Sequence, residues 1–553
     1  MATSPGGKPG RPGRETGFMT ASAETGDGTA TISATRTGLY AWYALGVMVI
    51  VYMLNFIDRQ ILSILAESIK ADLKLTDAEL GFLYGTSFAI FYTIFGFPLG
   101  RLVDSWYRGK LMALGISLWS LMTAFSGLAM NFPLLALARV GVGIGEASAS
   151  PAAFSLLADY FPKEKRGLVM AIYSAGIFLG IAVALPLGGF IQHGWDAAWP
   201  NRSGPLGLAG WQATFLIVGI PGFLVALLVA LLREPLRGAA DGHPSPVVRP
   251  GAWADFGREM LSIVPPLTLI STARIPGGLR LNLMFAAGMA VAMVILAWLT
   301  GDKAQWGAYG VGAYAVLSWI QRLKLADPPT HKLIWGTPTV LLAVAAFGSI
   351  AIGFYVFNFW VAPYAIRTFQ LTSNVVGVYV GIPGALGAFV GTVLGGHLSD
   401  AWKRRDPRGR VFVCMLAVAL PVPFAIAMFT TESFLTYCLL NPIVYMFSNM
   451  WIGSCVATYQ DCVLPRMRGT VGATYLLGST MVGLALGPYG TGKVADYAER
   501  IVGMDPAHAL RAGVFSSYAL VPLTLLLLWL VARRVEQTEA TKFERARAAG
   551  EPG

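Results

Sequence analysis

Two stretches decide the reading of this chain: VYMLNFIDRQILSILA (residues 51–66) and LALARVGVGIGEASASPAAFSLLADYF (residues 135–161). Each belongs to an apolar run that can cross a bilayer as a helix, which takes ~20 residues. Yet the first carries Asp58 and Arg59, and the second Arg139 and Glu146. A charge near the bilayer centre costs ~2.5–3.5 kcal/mol on insertion scales. Four such charges in two helices point to a protein that uses them to move something.

The rest of the chain has the same character. Of its 553 residues, 55% are hydrophobic and only 13% charged, about half the usual ~25% of a globular domain. Mean hydropathy is +0.59. Apolar runs recur along the whole length, which excludes a large soluble enzyme and gives an all-α polytopic membrane protein. The net charge of +11 lies in short connectors and tails, so it reads as topology and not as nucleic-acid binding. The four cysteines (Cys414, Cys438, Cys455, Cys462) fall in apolar stretches, and the five histidines are scattered, without metal spacing. GPYGTGKV (487–494) nearly spells a phosphate loop, but Val494 stands where Ser or Thr is required.

Helices are expected at 39–66, 79–102, 111–130, 134–160, 167–191 and 210–232, then at 280–299 and 304–320, then at 335–364, 374–399, 410–430, 433–461, 468–493 and 512–532. That makes fourteen spans: two six-helix halves and an inserted hairpin. The domain reading is a disordered tail 1–37, a first half 38–233, a linker 234–279, the hairpin 280–324, a second half 325–532 and a tail 533–553. Connectors alternate in charge. Arg101, Asp104, Arg108 and Lys110 give +2, the run from Asp400 to Arg410 gives +3, and the connector from Glu67 to Glu79 gives −2. Lys and Arg mark the inside, so both termini should be cytoplasmic, in the inner membrane if the cell is bacterial.

A duplication is legible. GRLVD (100–104) matches GHLSD (396–400), and Asp159, Arg166, Gly167, Tyr173 and Gly176 match Asp461, Arg468, Gly469, Tyr475 and Gly478, each 302 positions later. Two repeated lobes predict a cavity at their interface near the midplane.

These residues resemble the major facilitator superfamily. Gly100-x-Leu102-x-Asp104 with Arg108 and Lys110 is similar to its cytoplasmic signature, echoed at Gly396, Asp400 and Arg404; Arg139-x-x-x-Gly143-x-Gly145 is similar to its second signature. Within the superfamily, LNFIDRQ, RVGVGIGEASASPAAFSLLADYFPKEKRG and REP most resemble bacterial members of the spinster family. That resemblance implies transport of amphipathic lipids of the lysophospholipid or sphingosine-phosphate type. Organic-anion symporters of the superfamily share the N-x-x-DR and GEA elements, which leaves a sugar-acid symporter as the alternative. A non-transporting membrane sensor is the alternative of another class. Ser105 departs from the signature, which usually has a basic residue there, and ALPLGG lacks the Gly-Pro pair of the antiporter signature, leaving the direction of coupling open.

Counting 1.5 Å per residue puts Arg139 ~8 Å, Asp58 ~13 Å and Glu146 ~18 Å below the outer surface. An Asp58–Arg139 ion pair with Glu146 beneath is therefore expected. Desolvation favours the neutral form of a carboxyl, and a nearby guanidinium favours the charged form. A carboxyl that gains and loses an Arg partner as the lobes swing will bind and release a proton. Asp58 and Glu146 are thus the expected coupling carboxylates, with Arg139 and Arg59 as their partners or as anchors for an anionic head group. Gly100, Asp104, Arg108, Lys110, Asp400 and Arg404 are the expected cytoplasmic gate. Asn55, Tyr355, Asn358, Trp360, Asn449, Trp451 and Tyr475 are the expected cavity lining. Protons are the coupling ion, with no other cofactor. The expected partners are membrane lipids and an amphipathic substrate, with no nucleic acid, and the chain is expected to be a monomer. No nucleophile–base pair or metal cluster suggests an enzyme.

Overall fold

The computed structural model describes residues 38–238, 246–273 and 278–551. The expected disordered tail lies outside these residues. Everything described is helix or short connection, with no strand. The first half contains α1 (Leu39–Leu73), α2 (Asp77–Val103), α3 (Arg108–Ser126), α4 (Phe132–Tyr160), α5 (Lys163–Ala198) and α6 (Gly210–Ala230). A surface helix, α7 (Ala252–Ile263), precedes the hairpin of α8 (Gly278–Thr300) and α9 (Lys303–Ala326). The second half contains α10 (Pro338–Phe369), α11 (Ser373–Lys403), α12 (Gly409–Thr430), α13 (434–461), α14 (Pro465–Val502) and α15 (Pro506–Ala540). A final helix, α16, spans Lys542–Ala548.

All fourteen expected spans are helical. Among the described residues, eleven helices are long and apolar enough to cross a membrane; α3, α9 and α13 are more polar. Several helices outrun the expected ends, α1, α5, α14 and α15 by seven residues or more. α1 continues to Leu73, where Lys74 turns left-handed at φ 55°, and α15 continues to Ala540, taking in the first third of the charged tail. The starts obey local chemistry. Thr76 and Glu79 form a reciprocal capping box at the head of α2, and Asn131 caps α4 by accepting from the Leu134 N–H at 3.0 Å.

Both termini of the described chain and the linker lie on one face, called here the terminal face; the turns after α1, α3 and α5 lie on the far face. Close approach of backbones builds the lobes. A side chain at Gly387, Gly391 or Gly395 of α11 would collide with the α13 backbone at Pro442, Met446 and Met450. Gly377 and Gly381, one stripe with these in the sequence, pack instead against Leu185 and Pro186 of α5, in the other half. The glycine stripe thus serves two interfaces.

The halves meet on the far face. The α2 backbone lies against α14 at Gly81–Pro488 and Gly85–Leu484, and Gly189 of α5 abuts Ser373. Towards the terminal face they diverge around a cavity of about 440 Å³.

Candidate functional site

The four intramembrane charges come together. Arg59 Nε donates to Glu146 Oε2 at 2.6 Å, and the Glu146 side chain is fully buried. The Arg59 guanidinium also lies over Phe88 at 4.5 Å and Tyr92 at 4.9 Å from the ring centroids, a cation–π arrangement. Arg139 is 1% exposed and its Nη1 donates to the Asp58 main-chain carbonyl at 3.3 Å.

This corrects the expected pairing. Asp58 and Arg139 make no side-chain ion pair; Arg59 takes Glu146 instead. Neighbouring helix residues point ~100° apart, and Arg59 is long enough to span the gap between helices whereas Asp58 is short. Depth counting fixed the heights of these groups and left the rotation of α1 undetermined. The consequence is an under-satisfied cluster. Asp58 Oδ1, Glu146 Oε1, Arg139 Nε and Arg139 Nη2 are buried with no hydrogen-bond partner. An unmet buried polar group costs ~1–3 kcal/mol, so such atoms are retained where something else binds them.

The cluster adjoins the 440 Å³ cavity. Tyr92, beneath Arg59, and Ala147, next to Glu146, both line it. The other walls are α2 (Gly96, Phe97), α4 (Ser150, Phe154) and the start of α14 (Gly472, Leu476). No charged side chain lines it; the four charges lie behind Tyr92 and Ala147.

None of the seven residues expected to line a cavity lines this one. Trp360 is fully buried and its indole donates to the Pro488 carbonyl at 3.1 Å, tying α10 to α14. Asn449 donates to the Tyr445 carbonyl at 2.7 Å, and Asn358 to the Phe354 carbonyl at 2.9 Å; both bonds lie within their own helices. Trp451 and Tyr475 pack together with centroids 6.4 Å apart, Tyr355 packs on Phe354 at 5.0 Å, and Asn55 is buried one turn before Arg59. Amide and aromatic side chains serve helix packing as readily as substrate, and sequence does not separate the two.

None of the terminal-face signature residues bonds to the opposite half among the described residues. Arg108 is fully buried, bonded to Glu234 at 2.7 Å, to Asp159, and to the Ser155 and Pro235 carbonyls. Lys110 stacks on Tyr107 at 4.4 Å, and Asp400 meets Arg410 at 3.4 Å. Gly100 has open space at its Cβ position, and Asp104 and Arg404 are exposed. No ion pair joins the two halves on this face among the described residues. The duplication is visible in the pairing: Arg108–Asp159 in the first half recurs as Arg410–Asp461 in the second, each separated by 51 positions. The shared offset of 302 could have predicted this pair from sequence.

Sequence reasoning missed the far-face closure. Arg367, at the end of α10, grips Asp77 through two bonds of 2.9 Å and Glu67 through two, of 2.7 and 3.3 Å. Asp496 of α14 accepts from the main-chain N–H groups of Asp77 and Ala78, both at 2.9 Å. Gln60 and Ser63 of α1 donate to the Asn358 and Phe359 carbonyls at 2.6 Å each. Every one of these bonds crosses between halves. The available signal was Arg367, an isolated charge at the end of a long apolar run.

Two pseudo-repeated helical lobes, sealed on one face and parted around a cavity on the other, match the profile of the Major Facilitator Superfamily over residues 48–488. The chain belongs to that superfamily. An MFS-type efflux pump of Mycolicibacterium smegmatis is 26% identical over 458 residues, covering 82% of this chain and 85% of that one. Protein spinster homolog 1 of Bos taurus is 27% identical over 476 residues, covering 84% and 75%. Among solved structures, a bacterial homolog to the human lysosomal transporter Spinster, in an inward-facing and unoccupied conformation, has a TM-score of 0.65 at 25% identity and covers 92% and 98%. The spinster resemblance of the sequence is thus matched by relatives in both sequence and structure, and the chain is a major facilitator transporter.

Proposed function

We propose that this major facilitator protein is a proton-coupled secondary transporter of amphipathic lipids with a charged head group, working by alternating access. The observation that carries the reading is the placement of the unsatisfied charge cluster directly behind Tyr92 and Ala147, which wall an uncharged, largely apolar cavity. The free guanidinium N–H groups of Arg139 are donors for an anionic head group. Phe97, Phe154 and Leu476 offer the acyl chain an apolar wall. A small organic acid would leave that wall unused, which favours the lipid.

Glu146 and Asp58 are the coupling groups in this reading. While Glu146 is ionised it occupies Arg59. Protonation releases the guanidinium to the substrate, and departure of the substrate returns Arg59 to the carboxylate. The terminal face is the cytoplasmic one, since its connectors carry the Lys and Arg excess. The structure is then inward-facing. In the opposite state the signature loops, with Gly100, Asp104, Arg108, Lys110, Asp400 and Arg404, approach one another and close that face.

The test is flux of a fluorescent lysophospholipid into proteoliposomes under an imposed pH gradient. Asp58→Asn and Glu146→Gln should each lose gradient-driven uptake while keeping slow downhill exchange. Full gradient-driven uptake in both variants would end the proposal.

A further inference from the structure

The inserted hairpin lies outside both lobes, yet it touches both along one seam. Its turn, at Gly301 and Asp302, sits on the far face beside Glu79 and Phe82 of the first half and Tyr489 of the second. There Asp302 Oδ2 accepts from the Tyr489 hydroxyl at 2.7 Å and pairs with Lys493 Nζ at 2.8 Å. One turn on, the Gln305 side chain is 2% exposed. The Thr86 hydroxyl of α2 lies 2.7 Å from Gln305 Oε1 and 2.7 Å from the Ala485 carbonyl of α14; Gln305 Nε2 donates to the same carbonyl at 3.5 Å.

Contact continues down the seam. Gly312 of α9 has Ile90 of α2 on one side and Met481 of α14 on the other, with no room for a Cβ. Trp319 packs on Phe97 with centroids 4.7 Å apart. By contrast α8 turns outward, with Met284, Val294 and Trp298 exposed. The hairpin is therefore laid along the α2–α14 junction by one helix and faces lipid with the other.

Alternating access, on which this inference rests, requires the far-face ends of α2 and α14 to part. When they do, Gln305 can follow only one of them. We propose that α9 is a clasp across the α2–α14 seam, and that Gln305 and Asp302 are positioning residues that bias the transporter towards its far-face-closed state. Hydrogen bonds of this kind each shift an equilibrium by roughly two- to tenfold. Losing the Gln305 and Asp302 contacts together should raise the ratio of far-open to far-closed molecules about tenfold or more.

The experiment uses the full chain in lipid nanodiscs, with Cys438→Ala to limit background labelling and nitroxides at Ala71→Cys and Glu432→Cys. These are exposed far-face positions, one in each half. Pulsed electron–electron distances report the two populations without any substrate. Gln305→Ala with Asp302→Asn should enlarge the long-distance population about tenfold; Val294→Ala, on the lipid side of the hairpin, should leave it unchanged. If the double variant fails to fold, Gln305→Leu alone, which keeps the side-chain volume, should shift it in the same direction. An unmoved distribution in a folded Gln305 variant overturns the clasp. Failure of the transport reading shows instead as absence of flux in the parent chain, so the two failures are told apart.

Discussion

Replacing Glu146 by Met tests the Arg59–Glu146 pair most directly. The pair is 2.6 Å long, with the Glu146 side chain fully buried and Arg59 20% exposed. Removing one partner of a buried pair costs ~3–5 kcal/mol, because the other charge is left behind. Here the lower end applies, since Phe88 and Tyr92 hold the guanidinium and are worth ~1 kcal/mol. Arg59→Met should cost about 3–5 kcal/mol too, because Glu146 Oε1 already has no partner and Oε2 would lose its only one. The double variant leaves no charge stranded and should lie within about 2 kcal/mol of the parent. The coupling energy is then at least about 4 kcal/mol, far beyond the ~0.5 kcal/mol expected of independent sites. Reversible unfolding in mixed micelles of rising dodecyl sulfate fraction, followed by tryptophan fluorescence, measures all four corners of the cycle. Additive costs would mean that cavity water already solvates both groups, and the argument from unsatisfied burial would fall.

Three other perturbations follow from the geometry. Arg367→Gln removes the two-carboxylate grip on Asp77 and Glu67, so a cysteine introduced at Ser63, buried in that closure, should react several-fold faster with a water-soluble maleimide; unchanged rates would show that backbone contact alone seals that face. Gly391→Val should prevent accumulation of folded protein, since its side chain would enter the Met446 carbonyl; normal yield and melting temperature would contradict the packing. Asp327, held by Arg466 and the Thr330 N–H and hydroxyl groups, titrates at about 2 and not at its usual 3.8. A carboxyl lowered by folding contributes above its free value and loses that contribution as pH falls through the folded one. The contact chain from Asp327 through Arg466 to Glu551 should therefore let go between about pH 4 and pH 2. Hydrogen exchange over 542–551 should rise in that window, and at neutral pH in Asp327→Asn; protection that persists at pH 2 would refute it.

The helices and the two-fold repeat were legible because both are local. Apolar runs of bilayer length have one solution in lipid, since each backbone group must be satisfied within its own segment. The offset of 302 carried the duplication without reference to any contact. The four intramembrane charges were legible for the same reason: their cost depends on depth, and depth is counted along the chain. The spacing of the glycines along α11 gives no sign that they divide between α5 and α13.

What the sequence by itself determined is therefore the inventory: which segments enter the membrane, which lobes repeat and which ionisable groups are carried inside. Tertiary structure decided every partnership. Arg59, and not Arg139, found a carboxylate; Arg367 closed the far face; α9 lay along the α2–α14 seam; and Tyr92 and Phe97 lined the cavity in place of Tyr355 and Trp451. The physical reason is that membrane helices are apolar on nearly every side, so their hydrophobic pattern does not fix their rotation. Rotation settles only when neighbours dock, and a side chain's partner depends on it to within a fraction of a turn.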